Sequence, residues 1–281
     1  MATLTKEDKS HEMGMHEEQL TGRTQQRFFS PTEEENFTYP FAYEVDIKKD
    51  AEFDATDMST SEINIKLRSL MKEGYGTITL NNPLGKHAVG VGILNRLNLN
   101  IKGSIGYFGV GLIDGPNVRI DGRVGWSCAG NMIAGTVVVD KNAGGTFGAA
   151  IRGGDLVCRG DVGARTGIYQ KGGTIIVGGR TGAFSGFMMQ RGRMVICGDA
   201  GKNLGDSMYD GTIYVGGQIA DLGVDAVEEE MTERDVKWLK SKFALYDIEP
   251  KCGVENMIKI VSGKQLWNYD NLEPTEKKLV L

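Results

Sequence analysis

Three consecutive stretches decide how this chain is read: DLVCRGDVGARTGIYQKGG (155–173), TIIVGGRTGAFSGFMMQRG (174–192) and RMVICGDAGKNLGDSMYDG (193–211). Each is 19 residues long, and stacked they place glycines and apolar runs in shared columns. The register continues outward without a gap. Gly106, Gly125, Gly144, Gly163, Gly182 and Gly201 form one ladder at this spacing, and Gly135, Gly154, Gly173, Gly192 and Gly211 a second. Gly148, Gly167, Gly186 and Gly205 form a third. Asn98 to Glu230 is 133 residues, seven times 19, and holds 31 of the 40 glycines. A fixed period of this length marks a repeat architecture.

Each repeat opens on a β-rich run. Its second and fourth positions are Leu99/Ile101, Val118/Ile120, Val137/Val139, Leu156/Cys158, Ile175/Val177, Met194/Ile196 and Ile213/Val215, all apolar. With 40% apolar residues in the chain, chance produces this roughly three times in a million, so the period of two is a strand signal. The eighth position (Ile105, Val124, Ala143, Val162, Thr181, Ala200, Ile219) and the sixteenth (Ile113, Met132, Ile151, Gln170, Met189, Met208, Val227) are mostly apolar as well. These recurrent inward positions in so short a repeat predict an all-β parallel β-helix of about seven coils, about 4.8 Å apart, with glycine at corners that need φ > 0. Three glycines per repeat would cost a helix about 1 kcal/mol each, and the leucine-rich repeat signature is absent.

The third position should point outward, yet its last five residues are Val138, Val157, Ile176, Val195 and Tyr214. A contiguous exposed apolar stripe marks a covered surface. We expect it to be covered by a partner, or by the chain's own arm or C-terminal segment.

The flanks read differently. Residues 1–58 form an N-terminal arm, polar over 1–40, with aromatic patches at Phe28, Phe29, Phe37, Tyr39, Phe41 and Tyr43 that could dock on a neighbour or on its own domain. Residues 59–97 hold a capping helix and a first strand. The helix is capped by Thr60 or Ser61, carries Ile63, Leu67, Leu70 and Met71 on one face, and ends at Gly74. The strand is Thr77 to Leu80. Residues 98–230 are the repeat domain. Residues 231–281 hold a C-terminal helix and tail: Thr232 to Asp235 resembles a capping box, Val236, Leu239 and Phe243 give a helical stripe over 232–246, and Met257 to Val261 reads as a strand. The helix is a second cap or a docking helix, so short capping helices are expected at both ends.

Charge and composition exclude several classes. With 32 basic and 37 acidic residues the net charge is −5, which gives no support for nucleic acid. No apolar run reaches a membrane span, and the polar N-terminus lacks a signal-peptide core. Cys128, Cys158, Cys197 and Cys252 show no CxxC pairing and read as reduced thiols of a cytoplasmic protein. The candidate catalytic groups are few. Cys158 lies beside Arg159 but in an all-apolar column, which makes it a structural thiol. His87, in NPLGKHAVGVG (82–92), is the best single polar candidate and reads as a hydrogen-bonding loop residue. The G-x-G strings at 90–92 and 106–111 lack the strand–turn–helix context of a nucleotide fingerprint. No catalytic, cofactor-binding or metal-binding residue is therefore assigned.

The segments GKHAVGVGI (85–93), GYFGVG (106–111), VGWSCAGNM (124–132), MVICGDAGKNLGDSMYDGTIYVGG (194–217) and IADLGVDAVEEEM (219–231) resemble a known family. It is the glycine-repeat C-terminal domain of the glutamate synthase large subunit, a right-handed β-helix, and especially its stand-alone form, the small subunit of N-methylglutamate synthase-like enzymes. The resemblance covers roughly 60–235. It implies a non-catalytic structural subunit that joins a glutaminase-type (class II amidotransferase) subunit to an FMN-binding synthase subunit with an iron–sulfur cluster, bordering the ammonia path in a hetero-oligomer. Position two is Ala2, where the family's glutaminase module would carry a cysteine, and a (β/α)₈ barrel of about 250 residues does not fit beside the repeats. Both activities are thus expected on partner chains, and this chain itself is expected to bind no cofactor. Two other readings stay open: the β-helix subunit of a formylmethanofuran dehydrogenase-type tungsten or molybdenum enzyme, and an independent β-helix enzyme acting on carbohydrate.

Overall fold

A computed structural model describes residues 42–264. The expectations for the arm before Ala42 and for the final tail lie outside the described residues. Strand β1 (Asp46–Asp54), helix α1 (Thr60–Lys72) and β2 (Tyr75–Asn81) lead into the repeats. The repeats contribute β3 (Asn98–Lys102), β4 (Asp114–Ile120), β5 (Ala134–Val139), β6 (Asp155–Cys158), β7 (Lys171–Val177), β8 (Arg191–Ile196) and β9 (Thr212–Val215). Then follow β10 (Ala226–Glu229), α2 (Glu233–Tyr246) and β11 (Ile258–Ser262).

Among the described residues the result is a parallel β-solenoid with two α-helices and one short 3-10 turn, Val254–Asn256. From β3 to β9 the pairing keeps one register: Leu99 lies against Val118, Val118 against Val137, Val137 against Leu156, and so on to Ile213. Residues at the second and fourth positions fill the interior and are almost wholly buried. Each coil has one true strand. The eighth position supplies single bridges, such as Ile105 to Val124 and Ala143 to Val162. The remaining wall is built from tight turns rather than strands.

Those turns explain the third glycine ladder. In the fourth repeat, left-handed φ recurs at alternate residues: Arg165 at 57°, Gly167 at 65° and Tyr169 at 55°. The flanking two carry side chains on the outer surface, whereas a Cβ on Gly167 would stand 2.3 Å from Met194 Cε in the core. The first ladder has a different cause from the corner φ > 0 expected of it. Gly163 is not in the left-handed region, but its Cβ would lie 2.5 Å from the Gly145 amide nitrogen of the coil before. There glycine permits close backbone stacking rather than an unusual dihedral.

The ends depart from the simple count. Asp46–Asp54, inside the stretch assigned to the arm, is a strand that pairs parallel with β2. Its Ala51 and Phe53 pack on the core while its charged residues face out, a solvated edge that resists further pairing. Helix α1 buries Ile63, Leu67, Leu70 and Met71 as expected, but its cap is Ser59. Ser59 and Glu62 form a reciprocal capping box, which outcompetes a lone hydroxyl at Thr60 or Ser61. The freed Thr60 and Asn64 bond the carbonyls of His87 and Ala88 and so close the exposed end of the first coil.

At the far end the seventh repeat is one residue short. Leu204 bridges Leu222 and the Gly223 amide bonds the Leu204 carbonyl, where earlier coils are offset by one more residue. Ala226 therefore takes the inward place of Met208, and Val227, counted as inward from the sequence, is 38% exposed. The chain then reverses. Strand β11 inserts antiparallel between β9 and β10 and ends the parallel stack.

Gly167→Ala should lower stability by about 2–4 kcal/mol, from left-handed backbone strain plus overpacking against Met194. Arg165→Ala, at a similar φ but on the surface, should stay within about 0.5 kcal/mol. Thermal unfolding followed by circular dichroism checks the contrast.

Candidate functional surfaces

The apolar stripe at the third position is covered by the chain itself. Val157, Ile176, Val195 and Tyr214 pack against Trp238, Leu239, Phe243 and Tyr246 of α2. Of the two places open to this helix, it takes the docking one, along the flank of the later coils. The expected stripe of Val236, Leu239 and Phe243 is rotated: Trp238, Lys242 and Tyr246 are buried, and Val236 is only half-buried. Trp238 carries the largest apolar surface and sets the face.

Two buried carboxylates fix α2 on the stripe. Asp155 Oδ2 accepts from Lys242 Nζ at 2.8 Å and from the Tyr246 hydroxyl. Asp235 accepts from the Tyr214 hydroxyl at 2.6 Å, from Thr232 and from Lys259 Nζ at 3.0 Å. Burial pushes the Asp235 carboxyl up, but those three donors outweigh it and hold it at about 2. Lys259 is likewise depressed by burial, yet Glu229 and Asp235 beside it raise it above its ordinary value. Arg193 lies 4.2 Å over the Trp238 ring, and Arg159 donates to the Asp247 carbonyl just past the helix. Short polar contacts of this kind often mark active sites. Here each joins the helix to the column, so the groups serve docking.

The sequence candidates resolve plainly. Cys158 is fully buried, and loss of solvent pushes its thiol up to about 12. Its neighbour Arg159 points outward to Asp140, 3.3 Å away, and does not activate it. Burial also raises Cys128, and takes Cys197 to about 12. The thiolate form needed for nucleophilic work is therefore disfavoured at all three. His87 is on the surface, where its Nδ1 accepts from the Tyr107 amide at 2.9 Å and its ring stacks on Tyr107 at 4.6 Å. It is a hydrogen-bonding loop residue, as read. Among the described residues no group of three or more His, Cys, Asp or Glu could hold a metal ion, and no helix is long and apolar enough to cross a membrane.

Two features escaped the sequence reading. One is a set of corner carboxylates and amides at the seventh position. Asn142 Oδ1 accepts from the Asp161 amide at 3.1 Å, Asp161 Oδ1 from the Arg180 amide at 3.0 Å, and Asp199 Oδ1 from the Gln218 amide at 2.8 Å. Each caps the next coil, and the preceding glycine there leaves room. A Cβ on Gly179 would stand 2.2 Å from Asp161 Oδ1. The recurring Gly-Asp pair was the available signal.

The other is the turn face of the solenoid. Tyr107, Phe108, Leu112 and Trp126 crowd its first two coils, at 44, 60, 54 and 62% exposure. Tyr107 stacks on Trp126 at 5.7 Å, extending the His87 stack. Tyr169, Phe184 and Phe187 form a second aromatic group two coils on. Between the groups the chain is Gly144, Gly145, Ala149, Ala150 and Ala164. Elsewhere, two shallow grooves of about 470 and 520 Å³ flank the ion pair between Lys240 of α2 and Glu255 of the following turn. Neither gathers the convergent polar groups that chemistry needs.

No protein-family model matches the chain, and no curated protein matches it.

Lys242→Met should cost about 3–5 kcal/mol of α2 docking, because it strands the Asp155 carboxylate, and Asp155→Leu in the same chain should recover most of it. Near-ultraviolet dichroism of Trp238 checks both. The depressed Asp235 carboxyl contributes stability that is complete above its ordinary value of 3.8 and fades as pH falls toward about 2. An acid titration of the same signal should show α2 loosening in that window, and Asp235→Asn should remove the dependence.

Proposed function

We propose that this chain is a non-catalytic structural subunit of a glutamate synthase-like complex, one making glutamate or N-methylglutamate. In this reading it joins a glutaminase-type subunit to an FMN-dependent synthase subunit and borders the path of ammonia between them. The observation that carries the reading is how its polar chemistry is used. The buried acids, lysines and tyrosines bind the chain's own helix to its own column, and the thiols at Cys128, Cys158 and Cys197 are buried and protonated. The motifs at 85–93, 106–111, 124–132 and 194–231 point to the same family.

A rigid column suits this work. Each coil adds one hydrogen-bonded step to a parallel stack, so surfaces several coils apart are held at fixed separation. Flavin and iron–sulfur chemistry belongs, in this reading, to a partner chain in the cytoplasm. Fold alone does not carry function.

One observation favours a second reading. The His87–Tyr107–Trp126 stack is the kind of aromatic row that a carbohydrate-active β-helix uses. Its rings face one another, however, which leaves only the outer side of Trp126 for a sugar.

Affinity purification of the tagged chain from its native cell should bring down two partner chains, with flavin and iron in the purified complex. Tungsten or molybdenum with pterin would instead indicate a formylmethanofuran dehydrogenase-type assembly. Cleavage of polysaccharide by the isolated chain would favour the carbohydrate reading. Full glutamate-forming activity from the chain alone would overturn the structural role.

A further inference from the structure

The turn face holds two aromatic groups separated by a strip of glycine and alanine, with one cation at its upper edge. Arg165 projects from the fourth coil, 6.0 Å over the Phe184 ring, and forms no ion pair among the described residues. The face therefore presents apolar, positive and apolar elements in order along the column. The sequence contains the complementary order once, in FFSPTEEENFTYPF (28–41), where aromatic residues flank Glu33, Glu34 and Glu35.

The chain enters the solenoid at the right place for these to meet. Tyr43 and Val45 already pack on the core, and Tyr43 exchanges hydrogen bonds with the Asn95 side chain. Asn95 follows Gly92 and Ile93, whose backbone bonds Gly111 and Asp114 of the next coil. That corner adjoins Leu112, the near edge of the aromatic face. Arg165 lies three coils on, about 14 Å along the column at 4.8 Å per coil. The nine residues from Tyr43 back to Glu34 span up to about 30 Å, enough for the corner and the climb.

We propose that residues 28–41 dock on the turn face of their own chain. Phe37, Tyr39 and Phe41 cover Phe108, Leu112 and Trp126. Glu33 to Glu35 cross the glycine–alanine strip to Arg165, and Phe28 and Phe29 reach Tyr169 and Phe184. The proposal is independent of the reading above, since it concerns only this chain.

The test uses the full chain with a photoreactive benzoylphenylalanine in place of Phe37. Irradiated at low protein concentration and mapped by mass spectrometry, it should cross-link within the monomer to the 107–126 segment. Arg165→Glu, which touches only the surface, should lower the yield at least fivefold with an unchanged dichroism spectrum. Glu33→Lys, Glu34→Lys and Glu35→Lys combined with Arg165→Glu should restore it. Cross-links elsewhere, or none, would overturn the proposal. So would cross-links confined to dimers, which would place the segment on a second copy, and so would a charge reversal that fails to restore the yield.

Discussion

Everything in this molecule depends on one constraint: successive coils must stack in register, backbone on backbone, with nothing between them. Each coil's strand donates and accepts along the column, so an extra or missing residue would turn inward side chains outward. The constraint explains why the repeat length is held so strictly. It also explains why glycine takes places that are not left-handed at all, such as Gly163, where any Cβ would strike the coil below. The coil before the repeats is longer, with Thr77 paired to Asn98 21 residues on, and the shortening in the seventh repeat coincides with the end of the parallel stack. There Val227 turns outward and the chain reverses into β10 and β11.

A column built this way has two problems, and the flanking segments answer them. Its open end exposes backbone groups, and α1 meets these with Asn64 and Thr60 while burying its own apolar face. Its outer strand face carries a Val, Ile and Tyr stripe, which α2 covers. Burying Asp155, Asp235, Lys242 and Lys259 under that helix is costly, and pairing offsets the cost only where every donor is in place. Such networks fix position more than they add stability. In other proteins buried acids and lysines of this kind form catalytic clusters. Here they face one another across the seam between helix and column.

The turn face is of another kind. Left-handed residues recur at alternate positions, and those that point outward carry large side chains without clashing. The wall that is hardest to form is thus also free to vary in side chain, and it concentrates Tyr107, Phe108, Trp126 and Arg165 on one side.

Most of the fold was legible in the sequence because the repeat is local and periodic. The inward positions of Leu99 to Val215 and the presence of both helices follow from spacing alone, and the capping box at Ser59 was readable from its Glu62. Nothing in the chain order, however, says that Trp238 rather than Val236 faces the column, because helical spacing fits both until a partner surface selects one. Nor does it say that β11 returns between β9 and β10, or that Asp235 meets Tyr214 and Lys259. Those facts join residues far apart in the chain. Local propensity sets the rise and the repeat, but only the closed packing of distant segments decides which surfaces are spent and which remain.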